Sequence, residues 1–423
     1  MLAAVFENFM IRALIWLTLV IGLGWWMDRE HQAGRFQRVD ERFLDFLVAN
    51  ARDRFAGAAP DSGAPSPVVF VRMSAADKAE YAGWPPRPLD WQMVLKGLQK
   101  FDPALVVIPE TLNWGTPSPE FTREAAEALI PFQGVVLGVE AQLAPDAAAP
   151  AFLGGLVDAL PQFEKVGGPA QPIPALGALI TAPDEALRRL AEIGIAIPRR
   201  ENDPSLLPYT LREQDRLLPA VLAQALTRAS GTPYATHRLV LGPGAGAYLA
   251  NGTFVPLTQA GEFSVDTLQD LPVVDALNLM TAELVGALTD EERKHLAGPG
   301  KILVIGTDGG ASGDLARLHA QALSQALSTP RIRVLRMHEQ WILWTIAGLA
   351  GGWLVFRVPR RKTLFRGLAC IFAGLVVCFL AFQSALIWCP PTLPAAIIAL
   401  SALFARVAGK EAPLAAATPP EAV

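Results

Sequence analysis

A short glycine-rich turn in the second half of the chain has the residue types that hold anions. It reads GTDGG over residues 306–310, includes Thr307 and Asp308, and is followed by a helical pattern from Asp314. Backbone N–H groups of such a turn and the N-terminus of a helix can together bind a negatively charged group. The alternative is a tight connection with Asp314 as the helix N-cap, because the glycine spacing matches neither a P-loop nor a dinucleotide site.

A second candidate is the rigid turn WPPRP at residues 84–88. It presents the aromatic face of Trp84 and the guanidinium of Arg87 together, which suits the lining of a ligand pocket. A turn of this composition also packs over the edge of a sheet without any ligand. Both interpretations stay open at this point.

Two further side chains could take part in proton transfer or ligand binding. Glu110 lies near the end of a predicted strand with Asp102 nearby, and such a pair can act as acid and base. No nucleophile motif surrounds them, so we predict that the chain is not an enzyme. His319 has no second His, Cys or acid at metal-ligand spacing, which favours a locally hydrogen-bonded helix residue and predicts neither a metal nor a cofactor. We expect ligand binding at Trp84, Arg87, Glu110, Thr307, Asp308, Asp314 and His319.

The elements that must position these residues alternate between strands and helices. Continuous apolar runs are typical of strands covered on both faces, and they occur at residues 67–72, 104–108, 134–139 and 301–305. Helical spacing predicts helices at residues 89–99, 118–130, 184–193, 217–230 and 314–328. This order predicts an α/β fold, a mostly parallel mixed sheet with helices on both faces. Residues 237–265 are expected to add antiparallel edge strands, and residues 143–150 an exposed loop.

The composition predicts that another part of the chain lies in a membrane. The 423 residues are 52% apolar and 18% charged, against about 25% charged in an ordinary soluble protein. A bilayer span needs about 20 apolar residues, and we predict four transmembrane helices from the stretches at 13–27, 341–356, 367–388 and 394–407. A cleaved signal peptide is the alternative for the first stretch, but Trp25, Trp26 and Met27 stand where a cleavage site needs small residues.

The connecting loops predict the orientation of these spans. Residues 357–366 carry five Lys or Arg and no acid, and short cytoplasmic loops are enriched in these cations. We therefore expect this loop and both termini in the cytoplasm. The predicted division is an anchor at 1–27, an extracytoplasmic α/β domain at 28–340, three transmembrane helices at 341–407 and a short cytoplasmic tail at 408–423.

Charge and cysteine usage limit the expected partners. The net charge is −4, with the acids in excess in the expected exported domain. This balance excludes nucleic acid, which needs a clustered basic surface, and suits neutral or cationic partners. The cysteines Cys370, Cys378 and Cys389 lie in or beside the third apolar stretch, so the exported domain has no internal disulfide.

Several segments resemble one bacterial family. RVDERFLDF at residues 38–46 is similar to an opening D-x-R-x-x-D helix, and PVVFVRMSAADKAEYAGWPPRPLDWQMVLKGL at 67–98 resembles a strand, a G-x-W-P-x-x-R turn and a helix. GKILVIGTDGGASGDLARLHAQALSQAL at 300–327 resembles the closing strand, glycine-rich turn and helix. In these segments and in its layout the chain is similar to the second type of CHASE domain, the cyclase- and histidine-kinase-associated sensory extracellular module. It departs from that family at Arg72, where an acid is usual, and at Pro109-Glu110, where an Asp is usual.

The resemblance implies a multi-pass sensory protein of the bacterial inner membrane. Its periplasmic domain would bind a small ligand or an envelope protein, and a homodimer is expected. Members of the family continue into a kinase or cyclase domain, whereas only residues 408–423 follow the last span here. We therefore expect a signal to pass through the transmembrane helices to a separate cytoplasmic effector. The alternative is a structural envelope protein that docks a partner constitutively, without signalling.

Overall fold

The computed structural model describes residues 9–32, 37–55, 66–115, 119–144, 156, 159–197, 204–242, 244–280, 288–308 and 315–408. The chain divides into two compact units. One is Arg52–Arg331, and the other contains the described residues up to Ala51 and from Ile332 onward. Residues 28–51 and 332–340 thus belong to the helical unit, whereas the sequence analysis assigned them to the exported domain.

Strands and helices alternate in Arg52–Arg331, and long helices dominate the other unit. The helices are α1 Phe9–Gln32, α2 Gln37–Asn50, α3 Pro88–Gln99, α4 Pro119–Glu127, α5 Glu185–Arg188, α6 Val221–Ser230, α7 Ala276–Met280, α8 Asp290–Leu296, α9 Leu315–Ser328, α10 Met337–Arg357, α11 Thr363–Ala385 and α12 Thr392–Ala408. The strands are β1 Val68–Ser74, β2 Leu105–Ile108, β3 Val135–Leu143, β4 Lys165–Gly167, β5 Leu176–Thr181, β6 Glu192–Ala196, β7 Leu206–Pro208, β8 Thr210–Glu213, β9 Arg216–Pro219, β10 Arg238–Val240, β11 Gly246–Tyr248, β12 Phe254–Pro256, β13 Glu262–Ser264, β14 Val273–Asp275, β15 Ile302–Asp308, β16 Arg333–Val334 and β17 Ile387–Trp388.

A seven-stranded mixed sheet forms the centre of the α/β unit. Its order is β14-β1-β15-β2-β3-β5, and β6 also pairs with β3. Every pair is parallel except β3 with β5. Helices α6 and α9 cover one face, and α3, α4, α7 and α8 cover the other. The α/β class predicted from the sequence is confirmed.

Strand β1 shows why the central strands are apolar throughout. Val68 and Phe70 pack into the layer that contains α6 and α9, whereas Val69, Val71 and Met73 pack into the opposite layer. Successive side chains of a strand point to opposite faces, and both faces of this strand are covered. Burial on both sides therefore requires a continuous apolar run.

Two predicted elements are wrong. The helix expected at residues 184–193 is limited to Glu185–Arg188, and Glu192–Ala196 forms β6. Gly194 weakens a helix and lets the backbone of Val221 approach, since a Cβ there would lie 2.6 Å from the Val221 Cα. Residues 237–265 supply strands to a separate four-stranded sheet, β12-β11-β10-β4, and to the pair β13-β7, because β14 and β5 occupy the edges of the main sheet. Residues 145–150 of the expected loop lie outside the described residues.

The described residues of the four predicted apolar stretches form helices, except that the third stretch ends in strand β17. Among the described residues, one helical segment, Arg360–Ala385, is long and apolar enough to cross a membrane. The apolar segments Met10–Trp26 and Thr392–Ala408 are shorter, and the first turn of α10 contains polar side chains such as Glu339. Helix α12 packs against α1, α10 and α11. Length and composition alone thus identify one span, not the four that were expected.

Candidate functional site

The carboxyl ends of the central strands meet at a change of chain direction. Helix α9, which follows β15, lies on one face of the sheet, whereas α3 and α4, which follow β1 and β2, lie on the other. Strand β15 lies between β1 and β2. The chain therefore leaves β15 toward one face of the sheet and leaves both neighbouring strands toward the opposite face. Open α/β sheets bind ligands in the crevice at such a switch point.

Glu110 and Thr307 meet in the crevice between β2 and β15. The strands pair in parallel up to Val304 and Val107, and the chain of β2 then leaves the sheet at Pro109. The Glu110 Oε1 takes over as acceptor, at 2.5 Å from the Thr307 backbone N–H nitrogen and 2.6 Å from the Thr307 hydroxyl. Burial raises the pKa of Glu110, and the two Thr307 donors lower it by less. The buried carboxyl is therefore easier to protonate than an exposed glutamate.

Gly306 makes this arrangement possible. A Cβ at this position would collide with the Ala316 side chain on α9 and would lie 2.9 Å from the Glu110 Oε1. The missing side chain thus lets α9 and Glu110 both approach the end of β15 closely. Any larger residue would displace one of them.

A cavity of about 200 Å³ opens beside the Glu110 carboxyl. Its lining combines apolar walls with carboxyl and hydroxyl groups, from Pro85, Pro109, Glu110, Thr111, Glu140, Ala196, Thr307 and Leu315. Pockets for drug-sized ligands have volumes of roughly 300–1,000 Å³. The cavity therefore suits a smaller polar molecule, and its two carboxyl groups favour a neutral or cationic one over an anion.

Thr111 fixes the wall of the cavity that carries Glu140. Its hydroxyl donates to the Gly138 carbonyl oxygen at 3.1 Å and accepts from the Glu140 N–H at 2.7 Å. These bonds join the segment after β2 to strand β3. The side chains of Glu110 and Glu140 are thereby brought to the same cavity from neighbouring strands.

The crevice on the other side of β15 contains an ion-pair cluster. The Arg72 Nε and Nη2 lie 2.9 Å and 2.8 Å from the Asp275 Oδ1, and its Nη1 lies 3.8 Å from the Asp308 Oδ2. The strand register dictates this arrangement, because Arg72 is opposite Asp275 on β14 and Asp308 is opposite Ser74. Arg72 therefore holds two acids at the carboxyl ends of the strands.

Tyr81 adds a neutral hydroxyl next to this cluster. Burial, followed by the charges of Asp77, Asp275 and Asp90, raises its pKa to about 12. The ring lies 5.6 Å from that of Trp84. The phenol is therefore protonated at physiological pH and acts only as a neutral hydrogen-bonding group.

The structure separates the candidates predicted from the sequence. Glu110 and Thr307 come together in the cavity, and Asp308 pairs with Arg72 in the second crevice. Trp84 packs on the layer around α3, and Arg87 is an exposed N-cap residue of α3, so the WPPRP turn contributes only Pro85 to the cavity. Asp314 and residues 309–313 lie outside the described residues.

His319 occupies an interior position of α9. Its side chain is buried, and the Nδ1 donates to the Leu315 carbonyl oxygen at 2.8 Å. Burial lowers the pKa of His319 to about 4, so the imidazole is neutral. It is not among the residues that line the cavity.

Sequence reasoning missed Arg72, Asp275, Thr111 and Glu140. Arg72 and Asp275 each follow an apolar strand run, VVFV and VV, and such a position was the available signal. Thr111 and Glu140 give no comparable signal, because their roles depend on the pairing of β2 with β3.

Among the described residues no group of three His, Cys, Asp or Glu is placed to hold a metal ion.

Comparisons with known proteins do not add to this assignment. No family model, curated protein or solved structure matches the chain. The case for a function therefore depends on the geometry of the two crevices and on the surface of the helical unit.

Proposed function

We propose that this chain is a multi-pass sensory protein of the bacterial inner membrane. Helices α1, α10, α11 and α12 cross the bilayer, and the α/β unit lies in the periplasm, where it binds a small neutral or cationic polar molecule. The helices pass the signal to a separate cytoplasmic effector. The observation that carries the sensory assignment is the cavity at the β2/β15 switch point, with the Glu110 carboxyl in its wall.

The outer surface of the helical unit supports the membrane assignment. Large apolar side chains face outward on α1, α10 and α11: Leu14 on α1 is 66% exposed, Leu349 on α10 is 70%, and Leu368 and Phe372 on α11 are both 67%. A soluble protein rarely leaves an apolar surface of this extent exposed. In a membrane, lipid tails would cover these side chains. We therefore include the shorter apolar helices α1 and α12 in the proposed membrane-embedded bundle.

A polar contact between two helices of the bundle involves the buried Ser401. The Trp16 Nε1 donates to the Ser401 Oγ at 3.0 Å, and this hydroxyl donates to the Ile397 carbonyl oxygen at 2.7 Å. Gly351 gives the room for this contact, since a Cβ there would meet the Ser401 side chain. Small residues at helix contacts and internal hydrogen bonds are typical of packing in lipid.

Contacts between helices agree with the proposed orientation. Arg12, near the start of α1, donates from Nη2 to the Val355 carbonyl oxygen near the end of α10. Gly367, near the start of α11, packs against Ala402 in the second half of α12. The start of α1, the 357–366 loop and the end of α12 therefore lie on one side of the bundle. The five cations of that loop favour the cytoplasmic side.

The first experiment tests ligand binding at the cavity. Full-length protein in detergent is screened by thermal shift against a panel of small neutral and cationic polar metabolites. We expect at least one compound to raise the unfolding temperature of the wild type but not of Glu110→Gln. Arg87→Gln is the matched control, because Arg87 is exposed and outside the cavity. Equal shifts in wild type and Glu110→Gln would contradict binding at this cavity.

The second experiment tests whether binding changes the bundle. Spin labels at Phe365 and Val407, which are 78% and 73% exposed, report the distance between the proposed cytoplasmic ends of α11 and α12. We expect the compound selected by the screen to change this distance distribution. A ligand shifts an equilibrium only by its differential affinity for the two states. Binding without any distance change would contradict signalling and would favour constitutive docking of a partner.

A further inference from the structure

Two cysteines lie side by side at one end of the helical bundle. Helix α11 ends at Ala385, Leu386 adopts a left-handed conformation with φ 52°, and β17 then packs back along the last turns of the helix. Cys389 follows β17 directly. This reversal makes the side chains of Cys378 on α11 and Cys389 neighbours, and both thiols are free.

Aromatic rings of α2 hold the neighbours of both cysteines. The ring of Phe46 lies 6.3 Å from that of Phe379, and the ring of Phe43 lies 6.2 Å from that of Trp388. Phe43 and Phe46 stack on each other at 6.3 Å. The residues adjacent to Cys378 and Cys389 are therefore packed against one continuous aromatic cluster, which fixes the approach of the two thiols.

The level of the pair along the bundle follows from helix packing. Gly367 on α11 is opposite Ala402 on the antiparallel helix α12. The same number of residues separates Gly367 from Cys378 and Ala402 from Pro391, which immediately precedes α12. Cys378 thus lies level with the start of α12, and the polar residues Gln383 and Ser384 lie beyond it on α11. In the proposed orientation Cys378 lies about two helical turns inside the periplasmic end of α11.

We propose that Cys378 and Cys389 form a regulatory disulfide on the periplasmic side of the bundle. The oxidant is a disulfide carried by an exported thiol oxidase. The thiolate of one cysteine attacks that disulfide and releases one thiol, and the second cysteine then attacks the mixed disulfide and releases the other. The two cysteines lose two protons and two electrons in total, and the acceptor disulfide leaves as two thiols.

The disulfide would fix the strand that leads into α10. Strand β17 pairs in parallel with β16, Arg333–Val334, which directly precedes α10. In the reduced protein this pairing is retained only by hydrogen bonds and packing. In the oxidised protein β17 is covalently joined to α11, so α10 and α11 are coupled more firmly at their periplasmic ends. The redox poise of the periplasm would then set how freely these two helices move.

Sequential thiol labelling of the full chain in native membranes tests the pair. Membranes are quenched in acid, denatured in detergent with N-ethylmaleimide to block free thiols, then reduced and labelled with a polyethylene-glycol maleimide. We expect two labels on the wild type and on Cys370→Ser, and none on Cys378→Ser or Cys389→Ser. Cys370 is the matched control because it lies on the same helix, two turns closer to the 357–366 loop.

The outcomes separate this proposal from the proposed function on which it rests. A wild type with no labels after reduction, both as isolated and after treatment with the oxidant diamide, would overturn the pairing even if ligand binding holds. A disulfide between two copies, seen as a dimer on a non-reducing gel, would also overturn it. Labels that appear only after diamide would overturn the periplasmic location of the pair, and a reporter fused after Cys389 would then show whether the proposed orientation fails with it.

Discussion

Replacement of Thr307 by Val tests whether the Glu110–Thr307 contact organises the cavity. Valine keeps the β-branched shape and the backbone N–H, and it removes only the hydroxyl that lies 2.6 Å from the Glu110 Oε1. Removing one hydrogen-bond partner of a buried polar group costs about 1–3 kcal/mol. The Glu110 carboxyl keeps the Thr307 backbone donor at 2.5 Å. We therefore expect Thr307→Val to lower the free energy of unfolding by about 1–2 kcal/mol, the lower part of that range.

The assay is thermal unfolding of full-length protein in detergent, with Thr307→Ser as the matched control that keeps the hydroxyl. For a domain of 150–250 residues, 1 kcal/mol corresponds to about 2–4 °C. The unit Arg52–Arg331 is somewhat larger, so 1 kcal/mol corresponds to about 2 °C there. We therefore expect Thr307→Val to unfold about 2–4 °C lower than wild type, and Thr307→Ser to lie between them and close to wild type. Equal unfolding temperatures for the Val and Ser variants would refute the reasoning, because the hydroxyl would then contribute nothing.

Two further predictions concern the Glu110 cavity, and a third concerns the contact between α2 and α12. Burial raises the pKa of Glu110 in the folded state. The free energy of unfolding should therefore fall as the pH rises from the unfolded pKa of about 4.3 to the folded value, and stay constant above it. Glu110→Gln should lack this slope when unfolding is measured against pH, and an unchanged slope would contradict a raised pKa of Glu110. Gly306→Ala should destabilise by about 1–3 kcal/mol through overpacking against α9, whereas Gly167→Ala, with no atom within 4 Å of the added Cβ, should leave the unfolding temperature unchanged. On α2, Asp40 caps the start of α12, since its Oδ1 accepts from the Thr392 N–H at 3.1 Å and from the Thr392 hydroxyl at 2.5 Å. Asp40→Ala should therefore lower the free energy of unfolding by about 0.5–2 kcal/mol, and Asp40→Asn clearly less. Equal losses in thermal unfolding would show that these hydrogen bonds are not the cause.

The central strands could be predicted because burial on both faces leaves a local signature. Runs such as VVFV in β1 and ILVI in β15 contain no polar residue, and no helix of that length would need such a pattern. The exact ends were less clear, since β1 continues to Ser74 and β15 to Asp308. The extension of β15 places Asp308 within reach of Arg72, which the shorter predicted strand did not show.

Strand order and partners could not be predicted from local patterns. Nothing in the run of β15 indicates that it lies between β1 and β2, and this position determines that Glu110 meets Thr307 and that Arg72 meets Asp308. Strand β6 was hidden in a helical pattern because Ala186, Leu190 and Ile193 recur at positions i, i+4 and i+7, a spacing that fits a helix. Its pairing with β3 outweighs the weak local preference.

The position of β15 also constrains the order in which the chain can fold. Thr307 follows Glu110 by 197 residues, so β1 and β2 emerge long before the strand that must be inserted between them. Until then their inner edges offer unpaired backbone groups to each other and to other chains. Contacts of such long sequence separation slow folding and lengthen the exposure of aggregation-prone edges. In this topology the inner edges of β1 and β2 therefore stay unpaired until residues 302–308 have been synthesised.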